Sequence, residues 1–236
     1  MSEDLIEDKY FILYKPKDIV SGDFYWALSH KHRTSNEEMF YMCTADCTGH
    51  GVPGAFMSML NISYLNESIL ERNLEMPHEV LTQIREEVIA ALNPEGSDEE
   101  SKDGMDCVLT AFNFDKMKLY FAAANNPLWH IRDGVLTEYK ADKMPVGKYG
   151  GEERPFALQQ IDLKSGDLVY TFTDGYADQF GGPNGKKFKY KQLENLLVKN
   201  AALPMKEQKH ILDRTIEDWK SGVEQIDDIL VIGVRI

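Results

Sequence analysis

Four acidic positions lie far apart in the chain, and each sits at the end of an apolar run. Asp46 closes the run Phe40-Tyr41-Met42-Cys43-Thr44-Ala45 and opens a glycine-dense turn, Cys47-Thr48-Gly49-His50-Gly51-Val52-Pro53-Gly54. Asp174 follows Leu168-Val169-Tyr170-Thr171-Phe172-Thr173 and precedes Gly175. In mirror image, Asp227-Asp228 come just before Ile229-Leu230-Val231-Ile232, and Gly22-Asp23 just before Phe24-Tyr25-Trp26. A strand that delivers a carboxylate into a turn is one way to build a metal site, and four such ends suggest convergence on one place. Carboxylates packed together repel and resist ionising unless a cation neutralises them. Oxygen donors without a His/Cys cluster point to Mg²⁺ or Mn²⁺.

Other chemistries find little support. Gly181-Gly182-Pro183-Asn184-Gly185-Lys186-Lys187 lacks the spacing of a phosphate-binding P-loop, and Lys187 stands where that motif needs Ser or Thr. It reads as an exposed loop, with help from its lysines in holding an anionic substrate as the alternative. No G-x-S-x-G elbow occurs, so a serine hydrolase is unsupported. His50 lies between two glycines near Asp46 and reads either as a general acid or as a local hydrogen-bonding group. Cys43, Cys47 and Cys107 are the three cysteines. Their odd number and spacing support neither a disulfide framework nor a zinc site. They read as buried free thiols in a reducing cytosol.

The 236 residues suit one large domain or two small ones, and 43% hydrophobic content supplies a core. The formal net charge of −13 disfavours a nucleic-acid partner. No run approaches transmembrane length, and the acidic N-terminus has no signal-peptide core. With neither repeat nor low-complexity linker, the chain reads as a single domain over 1–236, with 1–10 a flexible leader.

The carboxylates need strands and turns to place them. Residues 11–14 read as a strand. Residues 24–29 and 39–45 read as a hairpin joined by the polar loop 30–38. Pro53 sits where proline opens a helix, and residues 55 to about 72 run without Gly or Pro. A second helix starts at Pro77, with Val80, Leu81, Ile84, Val88, Ala91 and Leu92 at helical spacing, and ends at Asn93-Pro94. Residues 95–104 read as an exposed loop. Strands follow at 107–113, 118–123, 128–132, 135–139, 156–162 and 168–173, then helices at about 190–199 and 205–220. A closing strand at 229–236 must pair upstream. Many antiparallel strands with helices grouped in pairs argue for layered sheets covered by helices.

At these positions the chain resembles the PPM-type metal-dependent serine/threonine protein phosphatases, in the bacterial branch typified by SpoIIE and RsbU. The matching segments are Val20-Ser21-Gly22-Asp23-Phe24-Tyr25, then Ala45-Asp46-Cys47-Thr48-Gly49-His50-Gly51-Val52-Pro53-Gly54-Ala55, then Ala122-Ala123-Ala124-Asn125-Asn126-Pro127-Leu128. Ser165-Gly166-Asp167-Leu168, Phe172-Thr173-Asp174-Gly175 and Asp227-Asp228-Ile229 complete them, in the family's order. Gly104-Met105-Asp106 joins the acidic set without an assigned role.

The resemblance implies an α+β fold, a four-layer αββα sandwich of two antiparallel sheets flanked by helix pairs. It implies a centre of two Mn²⁺ or Mg²⁺ ions at one edge. Asp46 would bridge both ions and the Cys47 carbonyl would ligate one. Asp174 and Asp227 would bind the other, Asp23 would ligate metal or hold its water, and Asp228 is the alternative to Asp227. Asp46, Asp174 and Asp227 would then carry catalysis, by a metal-activated water without a protein nucleophile. The chain departs from the family at Cys47, where a glycine is common, and at Ala124-Asn125-Asn126-Pro127, where the family reads Gly-His-Asn-Pro. No arginine precedes Asp23 to hold phosphate, and Lys15 and Lys17 are the nearest cations.

The implied activity is hydrolysis of phosphoserine or phosphothreonine on a protein, an anti-sigma-factor antagonist in a cytoplasmic partner-switching pathway. A phosphoprotein-binding pseudophosphatase and a hydrolase of small phosphoesters are the alternatives. No nucleic acid or direct membrane contact is expected. The first helix is apolar on more than one side, so it needs more than one partner. The sheet and the second helix are two, and a homodimer or an upstream sensor domain would supply a third.

Overall fold

The computed structural model describes residues 9–93, 102–151 and 154–236. Most of the expected leader (1–10) and most of the expected loop (95–104) lie outside the described residues; Gly104 itself opens a strand.

The elements run β1 (Tyr10–Lys15), β2 (Asp23–Lys31), β3 (Glu38–Cys47), α1 (Gly51–Asn66), α2 (Pro77–Leu92), β4 (Gly104–Asn113), β5 (Lys118–Ala124), β6 (Leu128–Arg132), β7 (Val135–Tyr139) and β8 (Val146–Gly147). Then come β9 (Gln159–Asp162), β10 (Leu168–Phe172), α3 (Gly175–Asp178), β11 (Phe180–Gly181), β12 (Lys186–Lys187), α4 (Tyr190–Asn200), α5 (Met205–Lys220) and β13 (Ile229–Arg235). One sheet has the order β1-β13-β10-β6-β7 and the other β2-β3-β4-β5-β9, with β8 added beside β4. All the ladders within these sheets are antiparallel. The closing strand β13 lies between β1 and β10, so the chain's last strand sits in the middle of its sheet.

Three apolar layers follow from strand alternation. Met42, Val108, Phe112, Phe121, Val169, Leu230 and Ile232 fill the space between the sheets. The opposite faces of the same strands carry Tyr41, Cys43 and Leu109, which pack with Val80, Leu81, Ile84 and Val88 of α2. Phe11, Tyr170, Phe172 and Val231 pack with Leu193, Leu197, Leu212 and Ile216 of α4 and α5. This is the αββα sandwich. Strands covered on both faces read as continuous apolar runs, which is why β3 shows no clean polar alternation. Each fully buried Leu, Ile or Val contributes about 2 kcal/mol, so these layers dominate the fold's stability.

The boundaries differ in instructive places. The first helix starts at Gly51 and its last turn, Glu67–Glu71, widens into a π-helix. The strand expected over 156–162 is shorter, because Phe156 leaves the ladder and is buried with α2, its ring 5.2 Å from the Arg85 guanidinium carbon. Residues 181–187, expected as a plain loop, take part in a small hairpin, β11 with β12. The three cysteines are free and buried, as expected.

Candidate metal centre

Register brings the first acidic residues together. Asp23 on β2 is the direct partner of Asp46 on β3, and Asp46 is the direct partner of Asp106 on β4. Three aspartates therefore stand abreast at the end of one sheet. Directly opposite residues on one face keep their Cβ atoms about 5 Å apart, and like charges there repel. By strand alternation this row lies on the face of Thr44, Met42 and Val108, the face turned toward the other sheet.

The other sheet supplies the rest at the same end. Asp174 follows β10 directly, and Asp227 and Asp228 precede β13, the neighbour of β10. The sheets are tied just below: Thr44 Oγ1 and Thr171 Oγ1 lie 2.6 Å apart. Thr173 Oγ1 donates to Asp23 Oδ2 at 2.6 Å and accepts from the Leu230 N–H at 3.1 Å.

Tight glycine contacts set the backbone. A Cβ on Gly22 or on Gly54 would meet the Gly49 carbonyl oxygen at 2.3 Å. This packing presses the turn after Asp46 against the entry to β2 and fixes Asp23 beside it. Gly175 meets the Asp228 carbonyl in the same way, at 1.9 Å from its would-be Cβ, which fixes Asp174 beside the 227–228 segment.

The electrostatics report crowding. Burial, then the Asp46 charge, pushes the Asp23 carboxyl up to about 9. Asp46 is pushed up to about 8 by burial and then by Asp174, Asp227 and Asp106. Asp174 rises to about 6, through burial and then Asp227. Burial raises Asp106 against a hydrogen bond from Asn125, whose Nδ2 donates to Asp106 Oδ1 at 2.8 Å. Burial and neighbouring carboxylate charges thus raise the proton affinity of Asp23, Asp46 and Asp174, and a divalent cation would relieve that cost.

The donor set fits hard divalent cations: oxygen only, with three carboxylates on one sheet end and two on the facing one. Among the described residues no three such groups already close on a common point. The backbone sets the neighbourhood, and side-chain rotation must complete ligation.

The other expected ligands divide. Asp228 is buried, and its carboxylate accepts from the Lys17 N–H at 2.7 Å, the Gly22 N–H at 3.0 Å and the Asp23 N–H at 3.4 Å. It works as an anchor for the segment before β2. Asp227 is half-buried, and among the described residues its carboxylate accepts only the Asp228 N–H, at 2.9 Å on Oδ1. The Cys47 N–H donates to the Gly22 carbonyl at 3.2 Å, and burial pushes its thiol up to about 12, so the side chain belongs to the core. Lys15 is committed elsewhere: its Nζ sits 2.6 Å from Asp213 and 2.7 Å from Glu217. His50 Nδ1 pairs with Asp18 Oδ2 at 3.0 Å on the surface.

Sequence reasoning gave Asp106 and Asn125 no role. Asp106 stands in the acidic set, and register is what places it beside Asp46. Asn125 stands where the family pattern has histidine and reaches the centre through Asp106.

The chain is similar to known proteins over most of its length. Residues 36–236 match the model of the family described as stage II sporulation protein E (SpoIIE). A search of curated protein sequences returns no match. Among solved structures, the SiaA-PP2C domain of Pseudomonas aeruginosa is 28% identical with a TM-score of 0.82, over 97% of this chain and 86% of that one. The PP2C phosphatase domain of Bacillus subtilis SpoIIE, with a fragment of its regulatory domain, is 20% identical with a TM-score of 0.70, over 96% of this chain and 62% of that one. The RsbU and RsbW domains of a Mycobacterium tuberculosis protein are 16% identical with a TM-score of 0.71, over 96% of this chain and 60% of that one.

Proposed function

The chain belongs to the SpoIIE family, a branch of the PP2C-type serine/threonine protein phosphatases, and from this premise we propose that it hydrolyses phosphoserine or phosphothreonine on a protein at the acidic edge. The observation that carries the reading is the row Asp23, Asp46, Asp106, facing Asp174 and Asp227. Such a row opposes folding stability and makes chemical sense around cations.

Asp46 occupies the middle of the row and would bridge two Mn²⁺ or Mg²⁺ ions. Asp174 and Asp227 would hold one of them from the second sheet. Asp23 and Asp106 flank Asp46, and the Cys47 carbonyl is a further donor. When bound, the two ions would lower the pKa of water toward neutrality and clamp the phosphate oxygens. The chain's own residues set the geometry: Thr173 orients Asp23, Asn125 orients Asp106, and Asp228 holds the backbone from which Asp23 projects.

A protein substrate is supported by α1. Its 16 residues carry no charged side chain, and Val52, Phe56 and Met59 are exposed on one side, beginning five residues beyond Cys47. An uncharged helix with such a face suits a macromolecular partner at the centre's rim. Likeness to SpoIIE and to RsbU domains favours an anti-sigma-factor antagonist as the substrate, and a cytoplasmic setting. A second copy or an upstream sensor domain is the further partner this helix would engage. No helix among the described residues is long and apolar enough to cross a membrane.

The test is turnover of a serine phosphopeptide and of p-nitrophenyl phosphate with Mn²⁺. The reading expects both to be hydrolysed, with the phosphopeptide at least tenfold better in kcat/KM. Turnover of the small ester alone would make the chain a phosphoesterase of small molecules. Phosphopeptide binding without turnover would make it a binding module.

A further inference from the structure

Tyr190 opens α4, and the backbone spends strain to put it there. Lys189 just before it has φ 74° and ψ 146°, a region ordinarily left to glycine. The Lys189 N–H donates to the Ala177 carbonyl at 2.6 Å, and the Phe188 N–H to the Gln179 carbonyl at 3.0 Å. These bonds fasten the start of α4 beside α3, the short helix that follows Asp174 immediately.

The ring is held by its neighbours. Its centroid lies 5.9 Å from Phe172 and 6.4 Å from Trp129, and those two rings lie 4.5 Å apart. Phe172 and Trp129 are both buried, so they form a rigid wall. Tyr190 keeps 38% of its surface exposed. Burial raises its hydroxyl's proton affinity most, followed by the charges of Asp174, Asp178, Asp46 and Asp106. The hydroxyl therefore stays protonated, lies in the field of both sheets' aspartates, and makes no hydrogen bond within the described residues.

The nearby side-chain donors each hold an aspartate. Lys187 Nζ binds Asp178 at 2.6 Å, Asn125 binds Asp106, and Thr173 binds Asp23. A phosphate brought to this edge needs donors that do not compete with cations for the aspartates. A neutral phenol meets that need.

We propose that the Tyr190 hydroxyl is a substrate-binding group that donates a hydrogen bond to a non-bridging oxygen of the substrate's phosphate. The inference rests on the phosphatase reading above. It gives a physical purpose to the strained Lys189 and to an aromatic wall that ends in an unshared donor.

Tyr190→Phe removes one oxygen and keeps the ring packing. On Mn²⁺-loaded protein it should weaken inorganic phosphate binding, measured by calorimetry, about tenfold, as expected for a donor to a charged group. The kcat/KM for a phosphopeptide should fall by a similar factor, while Mn²⁺ affinity and melting temperature stay at wild-type values. Phosphate affinity and kcat/KM within twofold of wild type would overturn the proposal, and so would absence of phosphate binding by the wild type. Phosphate binding that responds to the substitution in a protein without turnover would sink the enzymatic reading and leave the Tyr190 site standing. Turnover that ignores the substitution would do the reverse.

Discussion

Asp23 and Asp46 are direct cross-strand partners on β2 and β3, two carboxylates held side by side by the ladder itself. Backbone pairing cannot move them apart without breaking the register that buries Tyr41, Cys43 and Ala45. The fold accepts the repulsion, offset in part by the Thr173 hydroxyl on Asp23. The most economical account of such a pair is a cation that stabilises it.

That repulsion gives the metal-free protein a pH signature. Folded Asp23 and Asp46 stand at about 9 and about 8, against an ordinary value of 3.8. The folded state therefore binds more protons than the unfolded state between about pH 4 and pH 9, and stability falls as pH rises through that window. In chelator, raising the pH from 5 to 9 should lower the melting temperature by about 10 °C or more. Mn²⁺ should restore more stability at pH 8 than at pH 5. Asp167, buried yet held below its usual range by Arg132, acts outside this window. A flat or rising melting profile in chelator would contradict the crowding.

The adjacent aspartates should separate cleanly. Asp228→Ala strips the acceptor from the Lys17, Gly22 and Asp23 amides and should destabilise the fold by about 3 kcal/mol. Asp227→Asn should not lower the melting temperature of metal-free protein, since it removes a charge that repels Asp46 and Asp174, and should weaken Mn²⁺ binding at least tenfold. Calorimetric titration and thermal melts decide it. A reversed pattern would make Asp228 the ligand.

Lys15 is one of the two cations just upstream of Asp23 in sequence, but its ammonium is shared by Asp213 and Glu217 on α5. Lys15→Ala should leave KM for a phosphopeptide within twofold of wild type and cost about 1 kcal/mol or less in stability, since its partners are half-exposed. A KM raised tenfold would return Lys15 to the phosphate site.

Much of this was legible before any coordinates. The layered fold follows from apolar runs punctuated by Gly, Pro and Asn-Pro, and the Asp46 and Asp174 turns announce themselves by their glycines. What the sequence withheld is what register and packing decide. Asp106 belongs to the acidic set by sequence but has no place in it until β4 pairs with β3 and sets it beside Asp46. Asp227 and Asp228 are indistinguishable by position; their roles part only because Asp228 turns onto backbone amides. Tyr190 begins an unremarkable amphipathic helix, and its proximity to Asp174 depends on the Lys189 backbone, which no local pattern foretells. Phe156 likewise reads as a strand residue and is drawn away by a core contact under α2.

The central claim is that Asp46 organises a two-cation centre that cleaves phosphoprotein. Phosphate release from a serine phosphopeptide should be measured for wild type and Asp46→Ala, each in Mn²⁺ and in chelator. The account predicts turnover only by wild type with Mn²⁺, with Asp46→Ala lower by a factor of about a thousand or more, because losing the shared ligand removes both cations' grip together. Wild-type rates from Asp46→Ala, or from metal-stripped protein, would contradict it.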